Sequence, residues 1–143
     1  MIVISLLALI SSGVLGGSPE QSAPPPADSV AWRLEHVAGI AGSDATAFFE
    51  SLKKGVAARD ARTVCALVAY PLRQPEGAVS STQACQSRYD QISPAPVVKA
   101  LADQEFDKLF VNARGAMVGS GQIWFASICQ GQRCAVKITA VNR

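Results

Sequence analysis

The chain has 143 residues, with 13 basic and 11 acidic side chains giving a net charge of +2, and a hydrophobic fraction of 49%. So even a charge balance, with no basic stripe, argues against nucleic-acid binding, while the apolar share is enough for the core of one domain. Four cysteines behind an apolar leader place the chain in an oxidising compartment, secreted or periplasmic.

The leader comes first. Residues Ile2 to Ile10 are apolar apart from Ser5, and Val14 and Gly16 are small residues at the −3 and −1 positions of a cleavage site, so residues 1–16 are expected to be a signal peptide. The run is shorter than the ~20 residues that span a bilayer, and no membrane association is expected after processing. Residues 17–29 hold four of the eight prolines and no large apolar side chain, the composition of a disordered Pro-rich linker. Residues 30–143 are then a single α+β domain.

Within that domain, Trp32 to Val37 reads equally as a strand or a helical turn. Ser43 or Asp44 can cap a helix whose inward face is Ala45, Phe48, Phe49, Leu52 and Val56, ending near Arg59. Asp60 caps a second helix carrying Val64, Cys65, Leu67 and Val68, which Pro71 should terminate by forcing Tyr70 out of the helical region. After a turn at Pro75-Glu76-Gly77, Ser80-x-x-Gln83 has the form of a capping box. It opens a third helix with Cys85, Tyr89 and Ile92 on one side. Pro94 and Pro96 interrupt that helix, and Pro96 suits the first position of a further one, with Val97, Val98 and Leu101, ending near Gln104.

From Leu109 the apolar period drops from 3.6 to 2. Leu109–Asn112 and Ala116–Gly119 read as a strand pair joined by Ala113-Arg114-Gly115; after the Ser120-Gly121 turn, Gln122–Cys129 and Cys134–Val141 form a longer hairpin. A four-residue turn between them sets Cys129 opposite Cys134, within bridging range, and leaves Cys65 for Cys85. A zinc site would show two close cysteine pairs, and a redox pair would be C-x-x-C. The four cysteines are therefore read as two structural disulfides, with no metal or cofactor. The hairpin register pairs Ser127 with Val136, Phe125 with Ile138 and Ile123 with Ala140 on an apolar face that should meet the helices. The opposite face, with Trp124, Ala126 and Ile128 against Ala135, Lys137 and Thr139, is apolar enough to be covered by a partner or by a second copy in a homodimer.

Helices first and an antiparallel sheet last is the α+β layout. Four stretches, Phe48-Phe49-x-x-Leu52-x-x-x-Val56-x-x-Arg59-Asp60, Val68-Ala69-Tyr70-Pro71-Leu72-Arg73, Tyr89-Asp90-x-Ile92-x-Pro94 and Gly115 to Phe125, together resemble exported bacterial proteins of the nuclear transport factor two-like (cystatin-like cone) superfamily. The resemblance spans about Asp44 to Val141 and implies a cone of helices wrapped by a curved sheet. It implies little about function, because the superfamily holds isomerases, dehydratases, transport adaptors and binding modules. Its enzymes typically place an Asp or His base with a Tyr deep in the cone. The single histidine, His36, precedes the first capped helix and reads better as an exposed side chain than as a base.

Candidate contacts follow from this layout. Tyr89 and Asp90 stand at the end of the third helix; Tyr89 shares a face with Cys85 and Ile92 and reads first as a core tyrosine with a hydrogen-bonded hydroxyl. Asp107, Asn112 and Arg114 gather at the first strand pair, where a turn salt bridge is the ordinary account and a ligand carboxylate the functional one. Trp124 and Phe125 face opposite sides of the sheet, and Trp124 is the residue type that anchors partners. No phosphate loop, nucleophile elbow or paired-carboxylate motif is present. The sequence thus favours an exported non-enzymatic binding protein for a partner protein or a small apolar ligand, contacted through Tyr89, Asp90, Asn112, Arg114 or Trp124. A small lyase or isomerase using Asp90 or Asp107 is the alternative enzyme reading, and an inhibitor or immunity-type protein is a narrower form of the first.

Overall fold

The computed structural model describes residues 22–143 together with Gly13, Gly16 and Gly17. The expected signal peptide and the start of the expected linker therefore fall, those glycines apart, outside the described residues. Among the described residues, six α-helices precede four β-strands, with one 3-10 turn between them. No helix among them is long and apolar enough to cross a membrane.

The ambiguous segment before the first capped helix is itself a helix, α1 (Val30–His36), whose N-terminus is closed by Ser29 Oγ accepting from the Trp32 N–H. Helix α2 (Gly42–Ala57) begins before the expected caps Ser43 and Asp44 and has no side-chain cap. The Ala41 carbonyl already accepts from the Ala45 N–H at 2.9 Å, so Ser43 lies inside the first turn, and Asp44 contributes there as a carboxylate near the positive end of the helix. Asp60 does cap α3 (Ala61–Ala66), accepting from the Thr63 N–H. That helix stops at Ala66 rather than at Pro71. Sheet pairing overrides it: the Ile138 N–H donates to the Leu67 carbonyl at 2.7 Å and the Ala69 N–H donates to the Ile138 carbonyl at 2.9 Å.

The expected Ser80 capping box is displaced by one residue, with Ser81 accepting from the Ala84 N–H at the start of α4 (Thr82–Ser87). Arg88 leaves helical geometry and divides the expected third helix into α4 and α5 (Tyr89–Ile92). Pro94 is extended and caps α6 (Ala95–Asp103), which puts Pro96 at its second position instead of its first. A 3-10 turn at Phe106–Lys108 leads into the sheet.

Strands β1 (Phe110–Asn112), β2 (Gly115–Val118), β3 (Ile123–Gln130) and β4 (Arg133–Val141) form an open antiparallel sheet in sequential order. Gly115 belongs to β2 and not to the turn before it. At φ +128° a Cβ there would lie 2.1 Å from the Phe125 carbonyl oxygen, so the close approach of β2 to β3 requires glycine. Gly131, at φ +63°, takes the first central position of the β3–β4 turn, where primed turns favour glycine.

The long hairpin pairs Cys129 with Cys134, Ser127 with Val136 and Phe125 with Ile138, as the spacing implies. The expected pairing of Ile123 with Ala140 is not formed: a shift between Trp124 and Phe125 pairs Trp124 with Ala140 and Ile123 with Val141. Thr139 is the extra residue of this bulge. Cross-strand rows result. Val111, Ala116, Phe125 and Ile138 run across all four strands, with Val118, Ile123 and Val141 beside them, and all seven are buried.

The helices cover this row from one side. Phe48, Phe49, Leu52 and Val56 of α2 are buried, and the Phe48 and Phe125 rings lie 4.8 Å apart. The buried Cys65–Cys85 disulfide ties α3 to α4, and the Cys129–Cys134 disulfide closes the exposed tip of the long hairpin. Both pairings are those the spacing implies.

Candidate functional site

A pleated strand that buries one set of side chains must turn the alternate set outward. Here the outward set forms its own row: Phe110 pairs with Met117, Met117 with Trp124, and Trp124 with Ala140. Phe110 and Trp124 meet edge to face, with ring centroids 6.3 Å apart at 84°. The pair, half-buried at Trp124 and exposed at Phe110, is held in this geometry by the ring quadrupoles as well as by contact area. Phe110 remains 51% exposed and Ile128, two pleats along β3 from Trp124, 37%; these are large values for such apolar side chains.

Depressions of ≈ 290 Å³ and ≈ 340 Å³ flank the Trp124 indole, the first bordered by Met117 and Gly121 and the second by Arg114 and Ala140, with Asn142 lining both. The Arg114 backbone N–H is held by Asn112 Oδ1 at 2.8 Å, which shapes the turn. Among the described residues its guanidinium forms no ion pair. Arg143, which lines the first depression, is bound to Glu76 at 2.6 Å. The site is therefore an apolar bar with one uncommitted cation at its margin.

The structure brings together only part of the expected set. Trp124, Arg114 and, through its turn, Asn112 belong to this face. Tyr89 and Asp90 lie in α5 and line neither depression. Asp90 pairs with Arg59 at 2.9 Å, both side chains largely exposed, so its charge joins α5 to the α2–α3 turn. Tyr89 packs against the core as expected, but its hydroxyl is buried without the hydrogen-bond partner that a core tyrosine should have. The expected turn salt bridge between Asp107 and Arg114 does not form; Asp107 is exposed in the 3-10 turn. His36 is exposed, stacked on Trp32 at 4.5 Å, with Nδ1 donating to the Trp32 carbonyl.

Phe110 and Met117 were not among the expected contacts. The signal for Phe110 is the period-2 alternation of Leu109-Phe110-Val111, in which the buried neighbours Leu109 and Val111 leave it facing out; Met117 stands likewise between the buried Ala116 and Val118. Titration is shifted away from this face. Burial raises the Tyr70 phenol above its ordinary value, partly opposed by the Thr82 hydroxyl, and the phenol donates to the Cys65 carbonyl at 2.7 Å. Hydrogen bonds from the Thr63 hydroxyl and N–H lower Asp60, and the hydrogen bond to Glu105 raises Lys108. Among the described residues no group of three or more His, Cys, Asp or Glu is placed to hold a metal ion.

No protein-family model matches this chain, and no curated protein or solved structure is significantly similar to it.

Proposed function

We propose that this chain is an exported binding protein that captures a partner protein on the bare face of its sheet, with Trp124 at the centre. The observation that carries this reading is the row Phe110, Met117, Trp124 and Ala140, which crosses every strand on the side the helices leave uncovered. Aromatic residues at the middle of such a patch supply most of the binding free energy in protein interfaces. Export accords with the two disulfides, and the helices-then-sheet order accords with a cone of the nuclear transport factor two-like type. An inhibitor or immunity-type role is the case in which the captured partner is an enzyme.

Chemistry by a carboxylate has less support. Asp90 is paired at the surface, and the space between α2 and the sheet is filled by Phe48 against Phe125. The test uses Trp32→Phe protein, in which Trp124 is the sole indole. Its emission should shift to the blue and its quenching by acrylamide should fall when the protein is mixed with an extract of its native compartment. Trp124→Ala should retain the fold, shown by an unchanged disulfide count and circular dichroism, and lose partner capture at least tenfold. Equal capture by wild type and Trp124→Ala rejects the reading.

A further inference from the structure

We propose that the free edge of β4 from Arg133 to Val136 is a strand-addition site for an acidic, extended peptide segment of a partner protein. Ile138 directs both its N–H and its carbonyl away from β3, to Leu67 and Ala69. Along an antiparallel strand this direction repeats every second residue. The register from Ile138 to Cys134 is unbroken, so the N–H and carbonyl of Val136 and of Cys134 face the same edge. The Cys129–Cys134 Cα separation of 4.0 Å accords with the close spacing of pairs that do not bond to each other across the ladder. The segment that pairs with Ile138 runs parallel to β4, so its Val136 end is Leu67, where the chain arrives from α3, and no backbone in the described residues pairs with Cys134 or Val136.

Exposed strand edges are normally blunted by a proline, a bulge, a charged side chain or a covering element; of these, Cys134 to Val136 have only the flanking cations Arg133 and Lys137, which repel a basic strand and not an acidic one. The edge opens instead into a cleft of ≈ 470 Å³ lined by Val68, Tyr70, Ile128, Ala135, Arg133 and Lys137, among others. Its shape suits an added strand: backbone donors and acceptors lie along one wall, and Tyr70 and Ile128 offer apolar support to alternate side chains. Charge selects the occupant. The lining includes two cations and no carboxylate. Arg133 forms no ion pair among the described residues, and Lys137 Nζ donates only to the neutral Ala66 carbonyl at 2.6 Å. An extended segment rich in Asp or Glu meets both the backbone pattern and the charge. Ile128 borders both the cleft and the Trp124 face, but the cleft shares no residue with the depressions beside the indole, so substitutions at Trp124 and at Val136 test the two surfaces separately.

The experiment titrates the intact, oxidised protein into fluorescein-labelled hexapeptides, one alternating Glu with Val and the other Lys with Val, and reads anisotropy. The Glu peptide should bind at least tenfold more tightly than the Lys peptide. Val136→Pro, which removes one edge-facing N–H and leaves the ladder to β3 intact, should weaken it at least tenfold, and Arg133→Glu should abolish the preference for the acidic peptide. Trp124→Ala should bind it unchanged. In wild-type protein, amide exchange at Cys134 and Val136 should slow when the Glu peptide is added, a readout that needs no variant to fold. Equal binding of both peptides, no binding of either, binding without protection of those two amides, or their protection by self-association before peptide is added each overturns the proposal.

Discussion

The two faces of the sheet are built from adjacent residues of the same strands and have opposite fates. Inward, Phe125 is fully buried against Phe48; outward, its neighbour Trp124 is half-buried with Phe110 as its aromatic companion. Both rows are apolar, so hydrophobicity alone does not separate them. What separates them is that helix packing, with Phe48 of α2 on Phe125, covers the inner row. The inner row stabilises the fold, and the outer row stays at the surface.

Truncation should expose the contrast most sharply. Phe125→Ala leaves a cavity under α2 and should lower unfolding stability by about 3–5 kcal/mol, measured by urea denaturation. Trp124→Ala, which removes an edge-to-face contact on an open surface, should cost about 1 kcal/mol. Near-equal losses would mean that the outer face is structural.

The disulfides repeat the comparison on a smaller scale. Cys65 and Cys85 are both fully buried and lie 20 residues apart in sequence, whereas Cys129 and Cys134 are exposed and 5 apart. On chain entropy the longer loop stabilises by about 3 kcal/mol and the shorter by about 2 kcal/mol. Replacing the buried pair with Ala should cause the larger drop in melting temperature. Mild reduction followed by alkylation and mass mapping should label Cys129 and Cys134 before Cys65 and Cys85; the reverse order would contradict the burial seen here.

Smaller effects belong to the polar fixtures. Tyr70→Phe removes the hydrogen bond to the Cys65 carbonyl and should cost about 1 kcal/mol. The Tyr70 pKa is raised in the folded state, so its contribution is fully present below the free phenol's value, about 10, and is lost as pH rises through the raised value. The alkaline limb of the melting profile should therefore flatten in Tyr70→Phe. Asp60 has the opposite sign: its folded pKa is lowered, so its contribution is present above the ordinary carboxyl range and is lost as pH falls through the lowered value. In Asp60→Asn, which keeps a capping oxygen, the acid limb should be shallower, the slightest of these changes, and an unchanged limb would show that the Asp60 charge does not matter to folding.

Much of the fold was legible because local rules governed it. The spacing of Phe48, Phe49, Leu52 and Val56 identified α2, Asp60 identified the start of α3, and the short interval between Cys129 and Cys134 fixed the register at the hairpin tip. The misreadings arose where a distant partner decided. Pro71 looked like the end of α3, but pairing of Leu67 and Ala69 with Ile138, seventy residues or so along the chain, ended it earlier. Arg88 broke the third helix with no proline or glycine to announce it. In the candidate site, alternation could place Trp124 and Phe110 on outward faces, but whether Phe110 and Met117 stand beside Trp124 depends on two strand pairings, β1 with β2 and β2 with β3.

One small irregularity shapes the surface on which Trp124 stands. A straight ladder would place Val141 on the same side as Thr139 and the indole, and would leave Ile123 facing the methyl of Ala140. Because Thr139 has no counterpart in β3, the strand turns over by one position: the isopropyl group of Val141 goes to the interior, and only a methyl stands beside Trp124. The indole flank is open to solvent at that point because of a single unmatched threonine.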